Sequence, residues 1–220
     1  MSDASRARIA YVTLFTAVGA WAPYLPVYYR SLGVPLSAVG GLAALAAATG
    51  MLAAPAWGTI ADRFAGSRWV LPAAAFAGAG GATLLALAET PAQLVIAIVM
   101  TWLAMAGVAP VLDARAVRIA GADRNRYAGF RVWGSASFVV SAFLVGVVID
   151  RTVTRDLFAV YVPALVATAI VAATLRPAAS VAAPKLSRLG AVLRHAVLMR
   201  FLLAILVAWS ANAAVSAFLS

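Results

Sequence analysis

Apolar runs of about 20 residues follow one another along almost the whole chain, separated by short clusters of charge. Seven runs stand out: Ile9 to Tyr29, Ser37 to Ala61, Trp69 to Ala88, Pro91 to Leu112 or beyond, Tyr127 to Ile149, Leu157 to Leu175, and Phe201 to the end. At about 1.5 Å per helical residue, each is long enough to cross a hydrocarbon core near 30 Å thick. Hydrocarbon offers the backbone no hydrogen bonds, so a crossing segment must be a helix or belong to a closed barrel. These runs lack the alternation of a barrel strand. The fold class is therefore all-α and integral to the membrane. Composition agrees, with only 11% charged residues against roughly 25% in an average soluble domain. The first run is too long for a signal-peptide core of roughly 7 to 15 residues, so it reads as a retained span.

The formal net charge of +10 would suit a nucleic-acid partner only if the cations gathered on one solvated surface. They follow the loops instead. One side collects Arg6, Arg8, Arg63, Arg68, Arg115, Arg118, Arg124, Arg126, Arg176, Lys185, Arg188, Arg194 and Arg200. The other has Arg30, Arg151 and Arg155, with Asp150 and Asp156 beside the last two. The positive-inside bias then places the N-terminus in the cytoplasm of a multi-pass plasma (inner) membrane protein. The expected organisation is a six-helix bundle over 1–175, a cytoplasmic linker over 176–200 and an incomplete seventh span over 201–220. In the linker, Leu186, Leu189, Leu193 and Val197 recur at helical spacing opposite Arg188, Arg194 and His195, the pattern of an amphipathic helix at the membrane surface. His195, the single histidine, falls on the solvated side. Cysteine is absent, which excludes disulfide frameworks, thiolate metal sites and cysteine nucleophiles.

Between the second and third spans the chain reads Gly58-Thr59-Ile60-Ala61-Asp62-Arg63-Phe64-Ala65-Gly66-Ser67-Arg68. The first span carries Gly19-Ala20-Trp21-Ala22-Pro23-Tyr24-Leu25-Pro26-Val27-Tyr28, and the fifth opens Tyr127-Ala128-Gly129-Phe130-Arg131-Val132-Trp133-Gly134-Ser135. The first stretch resembles the cytoplasmic loop motif of the major facilitator superfamily, G-x-x-x-D-R-x-G-x-R in outline, with one extra residue before Gly66. It assigns Gly58, Asp62, Arg63, Gly66 and Arg68 to a conformational loop, in which Asp62 is expected to pair with Arg63 or Arg68 or to face a helix N-terminus. The other two stretches are similar to the lactose permease branch and the related nucleoside and phenylpropionate proton symporters. The resemblance runs over the whole chain and implies the N-terminal half of a secondary transporter.

Asp113 and Arg131 are the charges that fall within spans. The midpoint between their numbers lies in the Gly121-Ala122-Asp123 turn, so both sit at one depth, about 13 Å from the hairpin tip. An isolated charge in a bilayer costs at least about 2.5 kcal/mol, so the two should pair and face protein or water. They either bind polar substrate groups in a central cavity or merely pin the fourth and fifth spans together. In lactose permease an acid and an arginine at matching positions contact the sugar, and Phe138 falls where that branch stacks an aromatic on its ligand. From Arg131 one helical face continues through Gly134, Ser135, Phe138 and Ala142. Gly134, Ser137 and Ser141 equally permit close helix packing. Trp21, Tyr24 and Tyr28 form a stripe that either faces the cavity or belongs to an interfacial aromatic belt, beside Pro23 and Pro26, which should bend the helix. Trp102 and Ala106 share a face with Asp113, which makes Trp102 a further cavity candidate.

The expected function is transport of a small polar solute by alternating access, the substrate held near the midplane between this half and a missing C-terminal six-helix half. The resemblance implies protons as the coupling ion, and no cofactor or metal. An intramembrane enzyme would need a catalytic constellation, and the spans hold no HExxH and no paired aspartates. A non-transporting membrane scaffold would use Asp113 and Arg131 for structure only.

Overall fold

A computed structural model describes residues 1–64 and 66–176, with a few helical positions between 196 and 207. The expected linker with its amphipathic helix and His195, and the seventh span, lie outside the described residues but for those few positions. The chain divides into two units, Met1–Val181 and Ala182–Ser220, and the helices α1 to α8 all belong to the first. They are α1 (Asp3–Trp21), α2 (Leu25–Ser31), α3 (Leu36–Arg63), α4 (Val70–Ala86), α5 (Pro91–Met105), α6 (Val108–Ala120), α7 (Arg124–Ile149) and α8 (Phe158–Thr174), the last preceded by a 3₁₀ turn over Thr154–Leu157.

Leu36–Arg63, Pro91–Ala120, Arg124–Ile149 and Thr154–Thr174 are each long and apolar enough to cross a membrane, and α1 with α2 makes a fifth as a bent pair. The expected third span is shorter than its apolar run, for α4 has 17 residues, about 25 Å at 1.5 Å each and the lower limit for a crossing. The bend of 41° between α1 and α2 falls at Ala22-Pro23-Tyr24. Pro23 and Pro26 have no N–H to give to Gly19 and Ala22, so the helical ladder breaks there.

α1 packs against α7 and α8, α4 against α5 and α8, and α3 against α5. The core is rich in alanine: Ala7, Ala10, Ala17 and Ala20 of α1 and Ala74, Ala75, Ala79 and Ala82 of α4 are all buried. Lipid supplies no hydrophobic drive for helices to associate, so close backbone approach and interhelical hydrogen bonds must hold the bundle. Gly19 lies against the Phe138 carbonyl, and a Cβ on Gly81 would sit 2.7 Å from the Thr101 backbone. Ser141 donates to the Thr16 carbonyl at 2.8 Å.

The fourth span is not one helix. It breaks at Ala106-Gly107, where the Gly107 N–H turns to the Ala104 carbonyl at 3.4 Å and leaves the Leu103 carbonyl without its normal i+4 donor. Trp57 of α3 fills the gap, its indole N–H donating to Leu103 at 2.6 Å. Only glycine at 107 leaves room for that ring.

The basic ends of the helices are tied together by arginine. Arg6 donates to the Thr174 carbonyl at 2.9 Å, and Asp3 pairs with Arg6 at 3.6 Å and Arg176 at 3.3 Å. Arg115, grouped above with the loop cations, is instead buried in α6. Its guanidinium bridges the Ser67 carbonyl of the α3–α4 loop (3.1 Å) and the Ala172 carbonyl of α8 (3.4 Å).

Candidate functional site

α6 and α7 are joined by a tight turn. Gly121 ends α6 with a positive φ (+64°) that glycine adopts freely, and Asp123 caps α7 by accepting from the Arg126 N–H at 3.0 Å. That hairpin fixes Asp113 and Arg131 at equal distances from the turn, and they meet: Arg131 Nη1 lies 3.5 Å from Asp113 Oδ2.

The pair is part of a larger cluster drawn from three helices. Tyr127, one turn before Arg131 on α7, places its hydroxyl 3.3 Å from both Asp113 Oδ1 and Arg131 Nη1. Tyr11 of α1 donates to the same Oδ1. The Tyr11 ring is buried, stacked between Phe15 at 6.1 Å and Phe130 at 6.5 Å, and Gly134 allows it to approach α7. One carboxylate oxygen is therefore held by two tyrosines while the other faces the guanidinium. The Asp113 and Arg131 side chains remain 37% and 50% exposed, so a solute can still reach Oδ2 and the guanidinium nitrogens other than Nη1. An arginine fork beside a carboxylate offers donors and an acceptor side by side, the complement of neighbouring hydroxyls.

The other sequence-selected residues are placed elsewhere. Tyr24 donates to the Ala142 carbonyl of α7, a strut across the α1–α2 bend. Tyr28 is fully buried and donates to the Leu85 carbonyl of α4 at 2.8 Å, which closes it to solute here. Trp102 packs edge-on against Trp21, ring centroids 5.0 Å apart. Phe138 is half-buried on α7, its backbone against Gly19 of α1. In the loop motif, Gly58, Asp62, Arg63, Gly66 and Arg68 are all exposed. Among the described residues Asp62 makes no ion pair with Arg63 or Arg68. The arginines lie over rings instead, Arg63 6.0 Å from Phe64 and Arg68 4.9 Å from Trp69. Exposed ion pairs are worth little, and a neighbouring aromatic face competes with them on equal terms.

Tyr11 is the functional candidate that sequence reading missed. A tyrosine inside an apolar run looks like core, and only its spacing from the basic N-terminus, matching the depth of Asp113, could have flagged it.

Residues 5–220 match the MFS_1 like family. A stretch of 166 residues is 31% identical to a maltose permease of Geobacillus stearothermophilus, covering 75% of this chain and 42% of that protein, so the match spans less than half the length of the relative. With a helical membrane bundle, a loop motif at the basic end and a charged pair shared by consecutive helices, the chain belongs to the MFS_1-like family of major facilitator transporters.

Proposed function

We propose that the chain works as the N-terminal six-helix half of a proton-coupled symporter for a small hydroxylated solute, moved by alternating access across the plasma (inner) membrane with the N-terminus in the cytoplasm. Asp113 Oδ2 and the guanidinium of Arg131 bind neighbouring polar groups of the solute, Tyr11 and Tyr127 hold the carboxylate in place, and Phe138 lends an aromatic face. Trp102, Tyr24 and Tyr28 take part as wall and support rather than as direct ligands in this conformation. The single observation that carries the reading is a charged pair, supported from three helices, left half-open to visitors within a membrane bundle.

The net charge of the pair is zero, which favours a neutral solute over an acid, and the maltose permease likeness agrees with a hydroxylated one. Proton coupling rests on the family alone. The exposed apolar faces of α3 and α7, including Met51, Leu52, Val132, Val139 and Phe143, are where a second half and lipid would cover the bundle.

Uptake of labelled maltose and glucose by cells carrying the intact transporter tests the proposal, with D113N and R131Q as variants. Each should insert normally and lose uptake, and uptake by the parent should acidify-couple, falling when the proton gradient is collapsed. Normal uptake by either variant refutes the site; uptake indifferent to the gradient refutes the coupling.

A further inference from the structure

Three buried polar atoms have no partner among the described residues: Nε1 of Trp21 and the hydroxyls of Tyr29 and Tyr161. They are gathered in one place. The Trp21 ring lies 5.8 Å from Tyr161 and 5.0 Å from Trp102, while Tyr28 links Tyr29 at 6.2 Å to Phe158 at 5.0 Å. A cavity of about 230 Å³ opens beside them, bounded by Trp21, Tyr29 and Trp102 with Pro26, Ala43 and Ala46. Tyr29 and Tyr161 are only 2% and 1% exposed. A buried N–H or hydroxyl without a partner is as costly as a broken hydrogen bond, and native structures rarely keep several together.

The transport reading uses none of these groups. Trp21 lies ten residues beyond Tyr11 on α1, about 15 Å along the helix, so the cavity is distinct from the charged cluster. No Asp, Glu, Lys, Arg or His lines it. An ion entering would lose its water without a countercharge, so the ligand must be neutral. Its walls are aromatic or small and apolar, and the unmet atoms are one donor and two groups that both donate and accept.

We infer that the cavity at the α1–α2 bend is a second binding site, for a neutral single-ring compound bearing hydroxyl groups. The ring lies against the Trp21 and Trp102 side chains. Its oxygens take the Trp21 N–H and exchange hydrogen bonds with Tyr29, while Tyr161 lies behind the Trp21 ring, outside the cavity lining.

Equilibrium binding of glucose to the intact transporter in lipid nanodiscs, followed by calorimetry and tryptophan fluorescence, tests the site in a D113N background that silences the charged pair. D113N should keep a glucose-binding component, and adding Y29F or W21F should weaken it about tenfold. Without sugar, Y29F and Y161F should melt a few degrees higher than their parent, because each removes an unmet hydroxyl. Loss of all glucose binding in D113N overturns the inference, as does a D113N-resistant component indifferent to both Y29F and W21F. A lower melting point in Y29F with unchanged binding means that water fills the cavity, and also overturns it. If glucose binding is wholly resistant to D113N and weakened by Y29F and W21F, the charged-pair reading fails and this one stands.

Discussion

The middle and the end of α1 treat buried polarity in opposite ways. At its middle, the Tyr11 hydroxyl, the Tyr127 hydroxyl and the Asp113 carboxylate are all partnered, with Arg131 closing the cluster. Near its end, around the bend into α2, the Trp21 indole and the Tyr29 hydroxyl have no partner among the described residues, although Tyr28 beside them does. A full charge in hydrocarbon must be met or the fold fails, so three helices converge on Asp113. A neutral hydroxyl costs far less and can be left waiting for a ligand.

The largest expected effect breaks the partnered cluster. R131Q or D113N should cut uptake about a hundredfold, the loss typical of removing one member of a charge-assisted contact to substrate. The double variant should melt closer to the parent than R131Q does, since it leaves no lone carboxylate. Uptake and thermal melting in parallel check this, and a single variant with full uptake would remove the functional half of the contrast.

Packing comes next, because both clusters depend on how closely the helices approach. G81A places a methyl against the Thr101 backbone and should destabilise by about 1–3 kcal/mol. Melting measures it, and uptake per folded molecule should hold. An unchanged melting point would show that α4 and α5 have slack.

Y11F sharpens the comparison at the partnered cluster. It keeps the stacked ring and removes the hydroxyl that holds Asp113, so KM should rise about tenfold with little change in the melting point. Initial-rate uptake over a range of solute concentrations resolves KM from kcat, and an unchanged KM makes Tyr11 a packing residue. The smallest effect is Y28F, which should cost about 1 kcal/mol by taking from the Leu85 carbonyl the shorter of its two hydrogen bonds. That sign is opposite to the one expected for Y29F, one residue along the same helix, and melting the two side by side tests whether the bend is partnered unevenly.

Much of this was legible in the sequence because membranes simplify the problem. Apolar runs longer than the bilayer core can only be helices, prolines 23 and 26 can only interrupt the first, and opposite charges equidistant from a glycine turn are driven to pair. The α4 helix was overestimated because apolarity continues past the helical backbone on both sides. The break at Gly107 was hidden, since hydropathy does not register which carbonyl has lost its donor.

Chain chemistry by itself therefore determined a helical membrane bundle, the first bend and the Asp113–Arg131 pair: each follows from local backbone rules or from the cost of charge in oil. Tertiary structure alone decided that Trp57 fills the gap in the fourth span, that Arg115 is buried, and that Tyr11 reaches Asp113 while the Tyr29 and Tyr161 hydroxyls find no partner among the described residues. Those outcomes depend on contacts between residues tens of positions apart, where a difference of an ångström in helix approach decides whether a polar atom finds its partner.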